Sequence, residues 1–373
     1  MTSEPLLTVG ALTDALELRF PSHWAEGWDR VGLVSGDRGT PVTGILVTLD
    51  ATAEAVDRAV AAGANVVVTH HPAYLDPPER VERGAGPAGA LAASLAAGVA
   101  LLAAHTNLDR APDGASALSL ALGLEVLGPL ESSVEDVVVV TTFTPPGAVA
   151  SLRAAMADAG AGRLGEYENC AFSAEGTGYF EPLPDAEPSA GGGERGVAEV
   201  RLEMVAPPSR MQAVLEAARS AHPYEEPVVL AVPGVRARGV ARQGRVCTWR
   251  AGATLGDLAA QVSAALGVAC RVWGDPGRAV ERVAVANGSA GSLIGLALRS
   301  ADTLVAGEVR YHDALAASAN GLAIIEAGHD ATEWPIVRVL AGAVRDVAAG
   351  AVPVTEEEPA CGWWTMEEPN VGR

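Results

Sequence analysis

Alternation of apolar strands with helices is the feature that most limits the folds open to this chain. TGILVTLD at 43–50 and ANVVVTHHP at 64–72 are apolar runs of strand length, separated by a helical segment that Gly63 closes. A helix at 86–97 then leads into a third run, VALLAAHT, at 99–106. Strands without polar alternation are buried on both faces, so the pattern predicts a largely parallel sheet covered by helices.

A different pattern occupies residues 131–233, where the predicted order of elements is βαββαβ. That order is typical of a small ferredoxin-like domain. The first pattern resumes afterwards. We therefore expect one α/β core, layered α/β/α, from residues 1–130 and 234–352, with the ferredoxin-like domain inserted in its middle. The Pro- and Glu-rich tail at 353–373 is expected to be irregular.

Charge and cysteine content narrow the functional classes. The chain has 26 basic and 46 acidic residues, a net charge of −20, and no basic cluster. Nucleic acids and anionic membranes attract proteins through such clusters, so neither is an expected partner. The four cysteines are scattered without a C-x-x-C pair, and the N-terminal segment is acidic where a signal peptide is basic. A cytoplasmic location is therefore expected.

His70 and His71 directly follow the second apolar run. In open α/β sheets, ligands bind beyond the carboxyl ends of the strands. Adjacent side chains diverge at a strand end, so this pair suits two neighbouring metal ions better than one. The alternative is a pair of histidines hydrogen-bonded to loop carbonyls, and the pair alone does not decide between the two.

HTNLD at 105–109 follows the next strand. Asp109 is a candidate metal ligand, and His105 a candidate supporting partner or proton carrier. An Asx-type turn, in which Asn107 and Asp109 bond their own backbone, explains the same residues without a metal.

GHDATE at 328–333 follows a later strand and offers His329 and Glu333 within chelating reach of each other. Thr332 is the expected N-cap of a helix over 333–347. A glutamate in a first turn also complements the helix dipole, which is the alternative role for Glu333. Potential ligands at three strand ends of the same predicted sheet favour the metal site.

Two other segments are less specific. Glu308 and His312 follow a further strand and are candidates to line a pocket, although a helix-capping glutamate and a surface histidine explain them equally well. NGSAGS at 287–292 precedes a helix and is either an ordinary tight turn or a phosphate cradle without the lysine of a P-loop.

Together these motifs resemble a known family. W-D-x-V-G-L-x-x-G-D at 28–37, THHP, HTNLD, GE-x-x-YH and GHDATE occur in the order found in the dinuclear metal-binding proteins named GTP cyclohydrolase 1 type 2 homologues. Residues 160–182 and HPYEEP at 222–227 resemble the inserted domain of the longer bacterial form. The resemblance covers most of the chain.

The resemblance implies two divalent metal ions per chain. It pairs His71 with Asp109 on one ion and His70 with His329 on the other, and Glu333 bridges them. Zn, Fe, Mn, Co and Ni all suit such mixed ligands. The resemblance also implies a ring-like homohexamer and an insert of the signal-transduction and copper-tolerance type.

Two functions follow as hypotheses. Two ions that share a carboxylate activate water and stabilise developing charge, which indicates a metal-dependent hydrolase. The family name suggests ring opening of GTP, with His105, Glu308 and His312 as candidate proton carriers. The alternative is a non-enzymatic assembly that stores or senses metal and binds protein partners, since it needs the same ligands.

Overall fold

The computed structural model describes residues 7–82, 84, 87–165, 167–181, 183, 185 and 196–358. The chain divides into two compact units, one from Met1–Glu131 with Val240–Arg373 and the other from Ser132–Gly239. Within the described part, no helix is both long and apolar enough to cross a membrane.

Fifteen strands are found in the described ranges. They are β1 (Gly32–Ser35), β2 (Ile45–Thr48), β3 (Val66–Thr69), β4 (Ala100–Ala103), β5 (Glu125–Pro129), β6 (Val134–Thr144), β7 (Phe172–Gly178), β8 (Val197–Ala206), β9 (Val229–Ala237), β10 (Arg245–Thr248), β11 (Arg271–Trp273), β12 (Val283–Val285), β13 (Thr303–Ala306), β14 (Ala323–Glu326) and β15 (Val354–Glu356). Strand β9 continues to Ala237, so residue 233, the predicted end of the insert, lies inside a strand.

Eleven α-helices accompany these strands in the same ranges. They are α1 (Val9–Arg19), α2 (Ala53–Ala61), α3 (Pro87–Ala97), α4 (Thr106–Arg110), α5 (Pro112–Ala121), α6 (Val149–Asp158), α7 (Met211–Ala221), α8 (Leu255–Leu266), α9 (Ile294–Ser300), α10 (Tyr311–Ala319) and α11 (His329–Ala348).

The first unit contains two sheets, so the expectation of a single sheet was wrong. One has the order β1-β4-β3-β2-β15, and all its strands are parallel except β1. The other has the order β11-β14-β13-β12-β10-β5, in which β13 pairs in parallel with β12 and β14 and the other three pairings are antiparallel. Which sheet a strand joins depends on contacts between residues distant in sequence, and the local apolar pattern does not encode those contacts.

Strand β3 shows why the apolar runs lack polar alternation. Val66 and Val68 point to one face and pack in a cluster with side chains of α1 and α11. Val67 points to the other face and packs with side chains of α2 and α3. Both faces of this sheet are therefore covered, as the continuous apolar run requires.

In the second unit, the elements β6, α6, β7, β8, α7 and β9 follow one another, and the sheet order β7-β8-β6-β9 is antiparallel throughout. Helices α6 and α7 pack on one face, where Val140, Leu202 and Met204 form the core with Leu152 and Met156. The unit therefore has its own hydrophobic core.

Two local expectations were wrong. Helix α11 begins at His329 after Gly328, four residues earlier than expected, and Thr332 lies inside its first turn. The Thr332 hydroxyl bonds the carbonyls of Gly328 and His329 rather than capping the helix. The tail is not irregular throughout, because residues 354–356 form β15 parallel to β2. The remainder of the predicted tail from residue 359 lies outside the described residues.

Candidate metal centre

The histidine pair lies where β3 ends. The backbone N–H groups of His70 and His71 still bond the carbonyls of Thr48 and Leu49, at 3.3 and 2.9 Å. The two rings diverge by 39° with their centroids 5.2 Å apart. His70 is fully buried, whereas the His71 side chain is 24% exposed. The sheet therefore fixes the backbone of both residues and aims the rings at neighbouring positions.

The other expected ligands come from two helices. Asp109 lies on α4, which follows β4 of the same sheet. His329 and Glu333 lie one turn apart on α11, which follows β14 of the second sheet. The site is thus formed by strand ends of two sheets, not of one as expected. Asp109 and Glu333 are both buried, and a buried carboxylate requires compensating charge or hydrogen bonds.

Glu333 is at the centre of the group. Its Oε1 lies 3.1 Å from Nε2 of His329 and 3.8 Å from Nε2 of His70. Its Oε2 lies 2.8 Å from Nε2 of His71. Asp109 Oδ2 lies 3.8 Å from the same His70 nitrogen. All five residues singled out by the sequence therefore meet in one place.

Every imidazole in this place is held through Nδ1. His71 bonds Asp50 at 2.8 Å, His329 bonds Glu308 at 3.0 Å, and His70 bonds the Ala104 carbonyl at 2.8 Å. These oxygens only accept, so Nδ1 carries the proton, and Nε2 is the atom turned to Glu333. Histidines that bind metals are held in this manner by a carboxylate or carbonyl behind the ring.

The charges of the group favour a cation. Burial lowers the pKa of His71, but the hydrogen bond to Asp50 and the closeness of the Glu333 carboxylate outweigh it and raise that pKa to about 10. The Glu333 carboxylate, 3.1 Å from Nε2, raises the pKa of His329 to about 9. Burial raises the pKa of Asp109. The carboxylates thus demand positive charge at the Nε2 positions, and a divalent ion meets the same demand while displacing protons.

Two buried atoms confirm that side chains alone do not satisfy the group. His70 Nε2 and Glu333 Oε2 have no hydrogen-bond partner among the described residues. The 2.8 Å approach of His71 to Glu333 Oε2 therefore lacks hydrogen-bond geometry and resembles two ligands facing one ion. Orphaned buried polar atoms cost about 1–3 kcal/mol each, which a bound cation would relieve. The donor set fits divalent metal.

Sequence comparison assigns the chain to a family independently of this geometry. The profile of the family described as Duf34/NIF3 (NGG1p interacting factor 3) matches residues 7–358. The chain belongs to the Duf34/NIF3 family. The family resemblance stated from the motifs is thereby confirmed.

Duf34/NIF3 relatives match nearly end to end. A Mycobacterium leprae protein named GTP cyclohydrolase 1 type 2 homolog is 37% identical over 336 residues, 86% of each chain. A Bacillus subtilis protein of the same name is 36% identical over 318 residues, 83% of this chain and 84% of that one. The crystal structure of a Bacillus cereus protein related to NIF3 covers 98% of this chain and 100% of that one, with TM-score 0.64 and 32% identity.

A cavity of about 640 Å³ opens beside the histidines in this Duf34/NIF3 chain. That volume is within the range of small-molecule sites. The described residues of its lining include no arginine, and the sequence contains no lysine. The lining residues are Glu26, Trp28, His71, Pro72, Leu75, His105, Thr106, Asp109, Gln243, Asn287, Ser289, Ala290, Gly291, Ser292, Leu293, His329 and Glu333.

The three candidate proton carriers are placed differently. His105 lines the cavity, with one ring nitrogen within 4.8 Å of those of His70 and His71. Glu308 stands behind His329 as its hydrogen-bond partner and is not in the cavity lining. His312 is exposed on α10, in edge contact with Tyr311, and is also not in the cavity lining.

The NGSAGS turn has a steric role that the sequence did not reveal. A Cβ on Gly288 would lie 2.1 Å from Glu333 Oε1, and a Cβ on Gly307 would lie 2.6 Å from the Thr332 hydroxyl. Both glycines therefore let backbone approach the first turn of α11. The carboxylate behind His71, Asp50, was also missed, although it ends an apolar strand run as His70 does.

Proposed function

We propose that this chain is a metal-dependent hydrolase that holds two divalent ions with His70, His71, Asp109, His329 and Glu333. The observation that supports this is the convergence of imidazole Nε2 atoms and two buried carboxylates, with no arginine among the described residues that line the cavity. Acceptors brought together in this way, without a cationic side chain, suit bound metal ions.

The distances suggest how the ligands divide between two ions. His71 and His329 both approach Glu333 most closely, at 2.8 and 3.1 Å. His70 lies 3.8 Å from both Asp109 and Glu333. We propose that His71 and His329 would hold one ion, that His70 and Asp109 would hold the other, and that Glu333 would contribute to both. This pairing differs from the one that the family resemblance implies.

The chemistry follows from the ligand set. Two ions sharing a carboxylate supply Lewis acidity and an activated water at neutral pH. Of the candidate proton carriers, His105 is favoured because it lines the cavity. Glu308 is favoured instead as the partner that orients His329. The described contact of His312, with the Tyr311 ring, does not support a role in proton transfer.

A nucleotide is the proposed substrate, with ring opening of GTP as the reaction. The names of the relatives support it, since those proteins are called GTP cyclohydrolase 1 type 2 homologs. The cavity of about 640 Å³ has the size for a small molecule.

One observation favours a second candidate. Among the described residues, no arginine lines the cavity, and the chain has no lysine, so a triphosphate would meet neither of these two side chains there. Phosphate sites usually contain such side chains or a built backbone cradle. A non-enzymatic assembly that stores or senses metal and binds protein partners needs no phosphate contact.

Metal content and turnover test the two functions together. Purified protein is loaded with each of Zn, Fe, Mn, Co and Ni, its metal is measured by elemental analysis, and GTP and a panel of phosphoesters are then supplied. Two ions per chain with turnover that is lost in Glu333→Gln would support the hydrolase. Two ions without turnover for any metal would support the storage or sensing function. Absence of bound metal throughout would exclude both.

We also propose a fold for each of the two units. The order βαββαβ and the antiparallel sheet β7-β8-β6-β9 support a ferredoxin-like domain inserted into an α/β/α core. A homohexamer and a cytoplasmic location are the corresponding proposals for the assembly and its compartment. Sedimentation of the purified protein tests the first, and fractionation of cells tests the second.

A further inference from the structure

His105 is oriented as the proposed ligands are, yet it is not one of them. Its Nδ1 bonds Asp29 Oδ1 at 2.9 Å, as His71 bonds Asp50 and His329 bonds Glu308. The three carboxylates differ in burial, because the side chain of Asp29 is 0% exposed, against 49% for Asp50 and 61% for Glu308. The carboxylate with the least exposed side chain is therefore Asp29, and its partner His105 is the histidine that is not a proposed metal ligand.

The Asp29 carboxylate is fixed on both oxygens. Oδ1 also accepts the N–H of Arg30 at 2.7 Å. Oδ2 accepts the N–H and the hydroxyl of Thr106, at 3.0 and 2.5 Å. Burial raises the pKa of Asp29, but His105 and Thr106 lower it to about 2, so the group stays ionised and only accepts. His105 must therefore carry its proton on Nδ1.

The other ring nitrogen of His105 remains for the cavity. The His105 ring lies 5.2 Å from that of His70 and 5.5 Å from that of His71, both nearly perpendicular to it. Trp28 packs against it edge-on at 6.0 Å, on the wall of the same cavity. With Nδ1 donated to Asp29, Nε2 presents a lone pair beside the proposed metal positions.

We propose that Asp29 is a positioning residue that holds His105 as a hydrogen-bond acceptor for the molecule bound in the cavity. That molecule then carries an O–H or N–H group next to the atoms with which it binds the ions. The inference rests on the proposed function, because it places a bound molecule beside metal ions. The proposed metal ligands do not show which molecules the cavity prefers. An accepting Nε2 on His105 adds this information, because it favours molecules that donate a hydrogen bond over molecules that only accept one.

A purely structural role for Asp29 is the competing explanation. Thr106 begins α4, which carries Asp109, so Asp29 also anchors the start of that helix. If Asp29 only anchors the helix, its loss would disturb Asp109 and lower the affinity for every metal-binding molecule alike. If Asp29 holds His105 as an acceptor, its loss would lower the affinity only for molecules that donate a hydrogen bond.

Two small probes separate these roles. Acetohydroxamate binds metal through its oxygens and keeps an N–H to donate, whereas acetate has no donor. Their affinities are measured by calorimetry on the zinc-loaded full chain for wild type, Asp29→Asn and the control Asp57→Asn on the exposed face of α2. An amide behind a histidine favours the opposite tautomer. In Asp29→Asn we expect acetohydroxamate to bind about tenfold more weakly, while acetate binds unchanged or more tightly.

A spectroscopic signature accompanies the probe measurement. ¹⁵N NMR of histidine-labelled, zinc-loaded protein should show His105 protonated on Nδ1 in wild type and on Nε2 in Asp29→Asn. Equal weakening of both probes, unchanged affinity for both, or an unchanged tautomer would overturn the proposal. If Asp29→Asn does not fold, His105→Phe answers the same question, since it removes the acceptor and keeps the Thr106 anchor.

The number of zinc ions bound per wild-type chain is measured separately and tests the proposed function. Fewer than two ions per chain would contradict the proposed two-metal function. The probe comparison needs only one bound ion, so its outcome still decides the role of Asp29.

Discussion

At the residue scale, the two adjacent histidines differ in what stands behind their rings. His70 is backed by the Ala104 carbonyl, which no side-chain substitution removes, whereas His71 is backed by the half-exposed carboxylate of Asp50. A carboxylate also increases the basicity of the imidazole it holds. The His71 ring is therefore the one that a single substitution can release.

Substitution of Asp50 by asparagine should weaken one of the two proposed ion sites. The amide no longer enforces the Nδ1–H tautomer of His71, and loss of such a partner typically lowers metal affinity about 10–100-fold. Zinc titration by calorimetry should show one weakened site and one unchanged. Asp57→Asn makes the same charge change on α2, away from the cavity, and should alter neither site. Two equally weakened sites would show that Asp50 does not act through His71.

A pair of glycines in the NGSAGS turn separates steric from conformational effects. Gly288 and Gly291 both have positive φ, at +53° and +39°, but only a Cβ on Gly288 meets Glu333, at 2.1 Å. Gly291→Ala should cost about 1–2 kcal/mol of folding free energy and leave metal content intact. Gly288→Ala should in addition displace Glu333 and lower metal content. Equal metal content in the two variants, measured by elemental analysis, would contradict this role of Gly288.

At the element scale, the first turn of α11 depends on a hydroxyl. Thr332 is fully buried, bonds the Gly328 and His329 carbonyls and accepts the N–H of Gly288 at 3.2 Å. Thr332→Val keeps the shape but leaves that N–H without its acceptor, so we expect a loss of about 1–3 kcal/mol in the free energy of unfolding. Urea denaturation measures it.

The control for Thr332 is another helical threonine. Among the described residues, Thr13 of α1 bonds only the carbonyl of Val9, which lies in the same helix. Thr13→Val should change stability by less than about 0.5 kcal/mol. Similar losses in both variants would mean that the contact of Thr332 with Gly288 adds nothing.

The end of α7 makes the second unit sensitive to pH. His222 donates from Nε2 to the Phe143 carbonyl at 2.9 Å and accepts the Tyr224 N–H on Nδ1 at 3.0 Å, so its neutral form fits. Burial lowers the pKa of His222. The unfolded chain, with a pKa of about 6.5, therefore binds the proton first as pH falls, and folding stability decreases below that pH.

Comparison with His222→Gln isolates this contribution. Urea midpoints at about pH 7.5 and about pH 5.5 should differ more in wild type than in the variant, since glutamine has no proton to gain in this range. The same difference in both proteins would show that His222 does not contribute to the pH dependence.

Strand ends were the part of the architecture that sequence predicted well. Polar residues shortly after buried apolar runs singled out His70, Asp109 and His329 as candidates, because a strand that is buried on both faces must end where polar side chains begin. The sequence did not reveal that β14 belongs to a second sheet. Nor did it give the start of α11, because the cap is a glycine with positive φ and the threonine that resembles an N-cap bonds inward.

The supporting carboxylates were beyond sequence reasoning for a different reason. Asp29 and His105 are 76 positions apart, and Asp50 and His71 are 21 apart. Nothing local marks an aspartate as the partner of a particular imidazole. Only the packing of the strand ends, which depends on the whole fold, brings these pairs together.

At the scale of the whole molecule, charge opposes the proposed homohexamer. Each chain carries a net charge of −20, so chains repel one another unless apolar contact outweighs the repulsion. The second unit exposes such a surface: Leu230 and Val232 on β9 point away from α6 and α7 and are 49% and 55% exposed. No described element of that unit covers them.

Two substitutions and a salt series test the assembly. Leu230→Asp combined with Val232→Asp adds charge to the apolar surface and should lower the molecular mass measured by sedimentation, without lowering the metal content per chain. Leu18→Asp, at a leucine of α1 that is 84% exposed, should leave the mass unchanged. Because salt screens repulsion beyond about 10 Å at 0.1 M, wild-type assembly should tighten as salt is added. Assembly that weakens with salt would mean that ion pairs, not apolar contacts, hold the chains together.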